Sequence, residues 1–240
     1  SESKLPSVTS ILSAVWPKPF IVNWQAKLRQ EAMESYLRDN LGEIITEETI
    51  SDLERELDSP AQVRDEAARL GVWAHDVFGM RLNGEDIAAY RDPTSKKYDS
   101  VMKFSAEDVE SILAGIESTC TYLDDGGWRV TDVETAMYAQ DYRTGAGYAG
   151  TIDAILRRED GRRLLVEVKT SKDIYVEAYL QAAAYTWGLG DVDVMLVRLP
   201  KEDSQLKIRK LSHTSIENYE DHWSHTFDFY TSVKGAKTSD

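Results

Sequence analysis

Within YAGTIDAILRREDGRRLLVEVKTSK, residues 148–172, two carboxylates interrupt runs that otherwise suit buried strands, and a lysine follows the second of them. These are Asp153, Glu167 and Lys169. Which carboxylates face each other depends on the turn. A two-residue Asp160-Gly161 turn would send Asp153 and Glu167 to opposite faces. A three-residue loop, Glu159-Asp160-Gly161, places glycine last, where a left-handed residue is wanted, and pairs Arg158 with Arg162. Counting back equally on both strands then sets Asp153 across from Glu167, with Lys169 on the same face by alternation. Opposed residues have Cβ atoms only ~5 Å apart, and like charges so placed destabilise a sheet, so a cation is expected between them. Two carboxylates, a main-chain carbonyl and waters suit Mg²⁺ or Mn²⁺. Lys169 would serve the attacking water and offset charge growing on a phosphate. An exposed Glu and Lys at a hairpin end can also be there for solubility alone. Against that, Leu164, Val166 and Val168 line one face while Leu165 shares the other with Glu167 and Lys169, so the strand reads as covered on both sides.

The elements that must position these groups follow from periodicity. Residues 5 to about 125 read as mostly helical: SVTSIL capped by Ser7 or Thr9, IVNWQAKLRQEAMESYLRDNL, EETISDLEREL, SPAQVRDEAARLGVWAHDVFGMRL and SAEDVESILAGIESTCTYL. Ser59-Pro60 and Ser105 mark helix starts. NGEDIAAYRDPTSKKYDS, between the last two, reads as a loop. From Trp128 the period changes to strands, giving the order β-β-β-α-β-β-α and an α/β or α+β core, a mixed sheet packed by helices. The organisation expected is an N-terminal helical region, 1–125, and a core, 126–240.

Composition narrows the partners. With 240 residues and 42% hydrophobic content the chain can bury a large core. Its apolar runs are too short for a membrane helix and its first residues lack a signal sequence, so no membrane partner and an intracellular, cytoplasmic setting are expected. One cysteine, Cys120, leaves no intramolecular disulfide and no four-cysteine iron-sulfur cluster. The net charge of −14 would repel a polyanion, but it is polarised: 31–66 holds twelve acidic and three basic residues, whereas 1–30 carries +3 and 155–175 carries +2.

Asp153 with Glu167-Val168-Lys169 resembles the PD-(D/E)xK nuclease superfamily, Ile152 standing where its nominal proline would be. Within it the chain is similar to RecB-type exonucleases, from PSVTSIL to about Trp187, including phage exonucleases and the mitochondrial genome maintenance exonuclease. The resemblance implies a restriction-endonuclease-like fold. It also implies His75, in GVWAHDVFG, as a nitrogen ligand, although Gly79 stands where an acidic residue often follows. Glu134 corresponds to an acidic strand residue that binds metal or positions water, with Asp132 and Asp141 competing for the role. Gln181 and Tyr185, in QAAAY, lie one helical turn apart and would reach the metal pocket or a DNA phosphate. Val168 would add its carbonyl to the ligands. Thr170 and the segment around Trp16, Lys18, Phe20, Trp24 and Lys27 would line a single-strand path, the latter through cations and aromatic faces, although the same tryptophans could simply pin a helix to the core. His222 and His225 read as an exposed helix face.

The function expected is metal-dependent hydrolysis of DNA by an exonuclease acting on single strands or ends. Two alternatives have the same residues to explain: a structure-specific or restriction-type endonuclease of the same fold, and a non-catalytic protein whose acidic 31–66 segment mimics DNA.

Overall fold

The computed structural model describes residues 5–16, 19–42, 46–57, 59–141, 144–201 and 204–237. Helix starts are set by side chains that satisfy amides lacking an intrahelical acceptor. Ser7 accepts the N–H of Ser10 to begin α1 (Val8–Val15), and Ser105 accepts that of Asp108 to begin α6 (Ala106–Asp125). Between them lie α2 (Pro19–Asp39), α3 (Glu47–Leu57) and α4 (Ser59–Leu82). The stretch expected as a loop before α6 is more structured than its turn residues suggest. It holds a 3-10 turn at Ala88–Tyr90 and a short helix α5 (Lys96–Val101), started by Ser95 accepting the N–H of Lys97. Ile87, Tyr90 and Val101 are buried there, and their burial organises an otherwise polar segment.

The chain forms two compact units, one of Ser1–Trp16 with Trp73–Asp240 and one of Pro17–Val72. Residues 73–125 therefore group with the sheet. In the smaller unit α2 meets α3, and the Tyr36 hydroxyl donates to the Thr49 carbonyl at 2.9 Å.

The larger unit is α+β, a five-stranded mixed sheet flanked by helices. Its strands are β1 (Arg129–Gln140), β2 (Gly147–Arg157), β3 (Arg163–Lys169), β4 (Asp193–Arg198) and β5 (Lys207–Leu211), in that spatial order. Only β3 and β4 are parallel, and α7 (Val176–Leu189) makes the crossover that parallel neighbours require. The chain closes with α8 (His213–Lys237). This is the β-β-β-α-β-β-α order that the periodicity gives. The core on one side joins α1, α7 and α8: Ala182, Ala183 and Ala184 are fully buried, Tyr148 packs edge-on against Trp223 and Phe227 with centroids 5.0 Å away in each case, and its hydroxyl donates to the Ala184 carbonyl at 2.8 Å. Small residues on α7 let the helix approach the sheet. Where α6 meets the end of β4, a Cβ at Gly115 would lie 2.4 Å from Pro200, so only glycine fits. Among the described residues no helix is long and apolar enough to cross a membrane.

The β2–β3 turn has the three-residue form. The N–H of Gly161 bonds the Arg158 carbonyl, the N–H of Arg158 bonds the Arg162 carbonyl, and Gly161 has φ +86°. Pairing then runs Arg157↔Arg163 through Ala154↔Val166. A Cβ at Gly161 would touch nothing within 4 Å, so its replacement costs only backbone conformation. Gly161→Ala is expected to lose about 1–2 kcal/mol of stability, whereas Gly161→Asn, which tolerates this region, retains most of it. Urea denaturation of the three proteins side by side checks the order.

Candidate metal centre

Two ladders converge on one row of acids. β1 and β2 pair as Val133↔Ala154 and Thr135↔Ile152, and the step between them holds Glu134 and Asp153. β2 and β3 pair as far as Ala154↔Val166, and the next step holds Asp153 and Glu167. Glu134, Asp153 and Glu167 thus occupy adjacent positions across three strands. At that step the β2–β3 ladder stops, and the Val168 N–H turns to Asp153 Oδ2 at 2.7 Å. A carboxylate has taken the place of a strand partner, and the buried amide stays satisfied by a charge-assisted bond.

Glu134 has φ +48° and is the sole non-glycine with positive φ among the described residues. A side chain in this region costs about 1–2 kcal/mol, and such strain persists where the surroundings enforce it. The neighbour is α4: a Cβ at Gly79 would lie 3.0 Å from Val133 Cγ1 and 3.9 Å from Glu134 Cγ. Gly79, one turn after His75, lets the helix close on β1 and brings His75 Nδ1 to 3.0 Å from Asp153 Oδ1. Ligand atoms of His75, Glu134 and Asp153 all lie within 4.8 Å of one another.

Glu167 is drawn the other way. It is 1% exposed; its Oε1 accepts from Lys169 Nζ at 2.6 Å, while its Oε2 is buried with no hydrogen-bond partner. Lys169 Nζ also donates to Gln181 Oε1 at 2.8 Å, and Gln181 Nε2 donates to the Tyr185 hydroxyl at 2.9 Å. Behind Tyr185 stands Gly150, where a Cβ would sit 2.6 Å from the ring.

Burial pushes the Glu167 carboxyl above its ordinary range, and the Asp153 charge adds to this, against the opposing pull of Lys169 and His75. For His75, burial works against the charged form, but the hydrogen bond and charge of Asp153 outweigh it and the net shift is upward. The Glu134 carboxyl is also raised, first by loss of water and then by Asp153. Such a set, with one imidazole, two gathered carboxylates and a third carboxylate holding an unmatched oxygen, fits a hard divalent cation.

The sequence candidates divide clearly. His75, Glu134 and Asp153 come together, and neither competitor of Glu134 joins them: Asp132 is exposed, and Asp141 is buried beside Thr144, whose hydroxyl donates to it at 2.8 Å. The contact of the site with Val168 is through the amide. Gln181 and Tyr185, 8% and 2% exposed, turn inward to Lys169 and leave little surface for a DNA phosphate. Thr170 lies half-buried just beyond β3. Lys27, in the smaller unit, pairs with Glu31 at 3.6 Å in an exposed one-turn pair. The Trp16 indole donates to Thr226 Oγ1 of α8 at 3.0 Å, which pins it to the core. Lys18 and the side chains of Phe20 and Trp24 lie outside the described residues. His222 and His225 are exposed on α8. Gly79 and Gly150 are the positioning residues whose part sequence reading missed; a glycine inside a helix and a glycine inside a strand were their only signals.

No family model matches the chain, and no curated protein matches its sequence. Solved structures similar to it include the crystal structure of LHK-Exo in complex with dAMP, at TM-score 0.34 and 16% identity over 63% of this chain and 91% of that one. They also include the crystal structure of SSO0001, at TM-score 0.29 and 10% identity over 53% of this chain and 68% of that one.

Two outcomes follow for the metal-free protein. Glu167 and His75 both hold a proton more tightly folded than unfolded, so they stabilise the fold at low pH and that stabilisation is lost as pH rises. Denaturation in chelator at stepped pH should show stability falling from about pH 5 to about pH 8, with the slope reduced in Glu167→Gln. Separately, Asp153→Asn keeps an oxygen for the Val168 amide and should melt close to wild type. Asp153→Ala strands that amide and should lose about 1–3 kcal/mol, read by calorimetry.

Proposed function

We propose that the chain is a divalent-metal-dependent deoxyribonuclease that hydrolyses phosphodiester bonds exonucleolytically, on single-stranded DNA with a free end. The observation that carries this reading is the row Glu134–Asp153–Glu167, flanked by His75 at one end and Lys169 at the other. Asp153, Glu134, His75 and Glu167 would hold Mg²⁺ or Mn²⁺, the imidazole favouring Mn²⁺. When bound, the ion supplies Lewis-acid charge to the phosphodiester.

The protein's own groups orient and balance that charge. Lys169 Nζ, fixed by Glu167 and Gln181, keeps a donor for a phosphate oxygen, where an ammonium stabilises charge as it develops. Gln181 is itself fixed, because giving its NH₂ to Tyr185 leaves only its carbonyl for Lys169. Asp153, accepting from Val168, presents its other oxygen to His75, so the carboxylate cannot rotate away from the cluster without losing a buried bond. The free-end requirement is supported by the likeness of the sequence to RecB-type exonucleases.

Cleavage should require Mg²⁺ or Mn²⁺, cease in excess chelator and vanish in Asp153→Asn. Lys169→Ala should keep metal affinity, measured by titration calorimetry, and lose about 10²–10³-fold in turnover. Linear single strands should be degraded while closed circles of the same sequence survive. Equal rates on circle and line would move the assignment to an endonuclease with the same centre.

A further inference from the structure

The turn end of the β2–β3 hairpin carries an arrangement that the metal centre does not use. Arg129 pairs directly with Arg157 in the β1–β2 ladder, and Arg157 pairs directly with Arg163 in the β2–β3 ladder. Three arginines stand side by side across three strands. Directly opposed like charges destabilise a sheet, and arginine cannot shed its proton to relieve them. Among the described residues no carboxylate forms an ion pair with this row, although Glu159 and Asp160 share a cleft with Arg129, and Asp160, Asp191 and Asp193 share one with Arg163. Arg163 donates to the carbonyls of Leu189 and Asp191 at 3.0 and 2.8 Å, whereas Arg157 and Arg129 are exposed and neither hydrogen-bonded nor ion-paired by its side chain.

On the opposite face of the sheet, which Leu164, Met195 and Lys210 share, further cations meet aromatic rings. The Arg158 guanidinium lies 5.5 Å from the Trp128 ring centroid and Lys210 Nζ lies 4.2 Å from that of Tyr122. A cleft of about 290 Å³ runs between Tyr122, Trp128, Arg158, Arg162 and Lys210. Nearby carboxylates are engaged: Asp160 pairs with Arg162 at 2.9 Å, and Asp193 accepts the His213 N–H at 3.1 Å. In a chain of net charge −14, this concentration of unmatched guanidinium is a local feature.

We propose that this end of the sheet is a second contact for the phosphodiester backbone of a nucleic acid strand, separate from the metal centre. The identity of the polyanion rests on the nuclease reading; the call for an anion rests on the arginine row. Guanidinium is the cation suited to phosphate, through paired N–H donors. Arg157 and Arg163 lie four residues along β2 and β3 from Asp153 and Glu167. That is roughly 13 Å. The intervening Ala154, Leu156, Leu164, Leu165 and Val166 are buried, so this distance is a separation through the core and not a path along the sheet.

The test compares wild type with Arg129→Ala/Arg157→Ala in chelator, using a fluorescent 20-mer of single-stranded DNA, and then with metal on that 20-mer and on a dinucleotide. The variant should melt no lower than wild type, because it removes facing like charges. It should bind the 20-mer at least about tenfold more weakly, with a log–log salt slope shallower by about 1.4, two phosphates at about 0.7 each. Its rate on the dinucleotide should equal wild type. Unchanged affinity and slope, with 20-mer cleavage intact, would overturn the arginine contact and leave the nuclease reading standing. Arginine-dependent binding without cleavage by wild type would do the reverse. If the variant instead loses only a concentration-dependent dimer in sedimentation, the row docks a second copy and the proposal is wrong.

Discussion

The bond from the Val168 amide to Asp153 Oδ2 is the constraint on which the site depends. It forms where β2 and β3 cease to pair, so it closes the open end of the ladder and at the same time holds the carboxylate in the gap. An ordinary strand pair at this step would leave no room for a side chain between the strands. With the carboxylate there, one oxygen serves the fold and the other faces His75. Structure and site therefore share one side chain, and a change that spares the first use can still abolish the second.

The acids in the row could not all remain charged and unmatched in so small a space. Each has a different answer. Asp153 is met by an amide and an imidazole, Glu167 by an ammonium, and Glu134 by water at an exposed strand position with a raised affinity for its proton. These partners keep the acids folded without a cation and compete with one for the same lone pairs. The buried Glu167 Oε2, which has none, marks where that compensation is incomplete. A fully matched cluster would resist a cation; this one retains capacity for it.

Legibility in the sequence follows from the range of the interaction concerned. The hairpin register was readable because a three-residue turn ending in Gly161 is local, and once the turn is known every pair behind it can be counted. Helix caps at Ser7 and Ser105 are equally local. The β1–β2 register was not countable, because it slips by one residue at Thr131, and periodicity does not record an unpaired residue. Nor could the left-handed backbone of Glu134 be foreseen, since a glutamate has no preference for it and it accompanies the close approach of α4 at Gly79. Gln181 and Tyr185 were correctly placed on one helical face. Whether that face looks outward or toward Lys169 depends on how α7 lies over β3, which is a matter of tertiary packing. The helix at Lys96–Val101 was hidden for a similar reason, its turn-forming composition outweighed by the burial of Val101 and its neighbours.

The same hairpin carries unfavourable like-charge pairs at both ends of its register, acids at Asp153 and Glu167 and arginines at Arg157 and Arg163. Chance placement on an otherwise apolar pair of strands would not be retained for stability, because each end raises the energy of the sheet. The two ends differ in how the fold treats them. The acids are buried and given internal partners, which suits a small cation held in a preformed cage. Of the arginines, Arg157 is left to solvent and Arg163 is tied only to carbonyls, which suits a flexible polyanion that arrives from outside. The two ends of one hairpin thus call for ligands of opposite charge, a small cation held inside the fold and an anion met at its surface, with a buried apolar stretch between them.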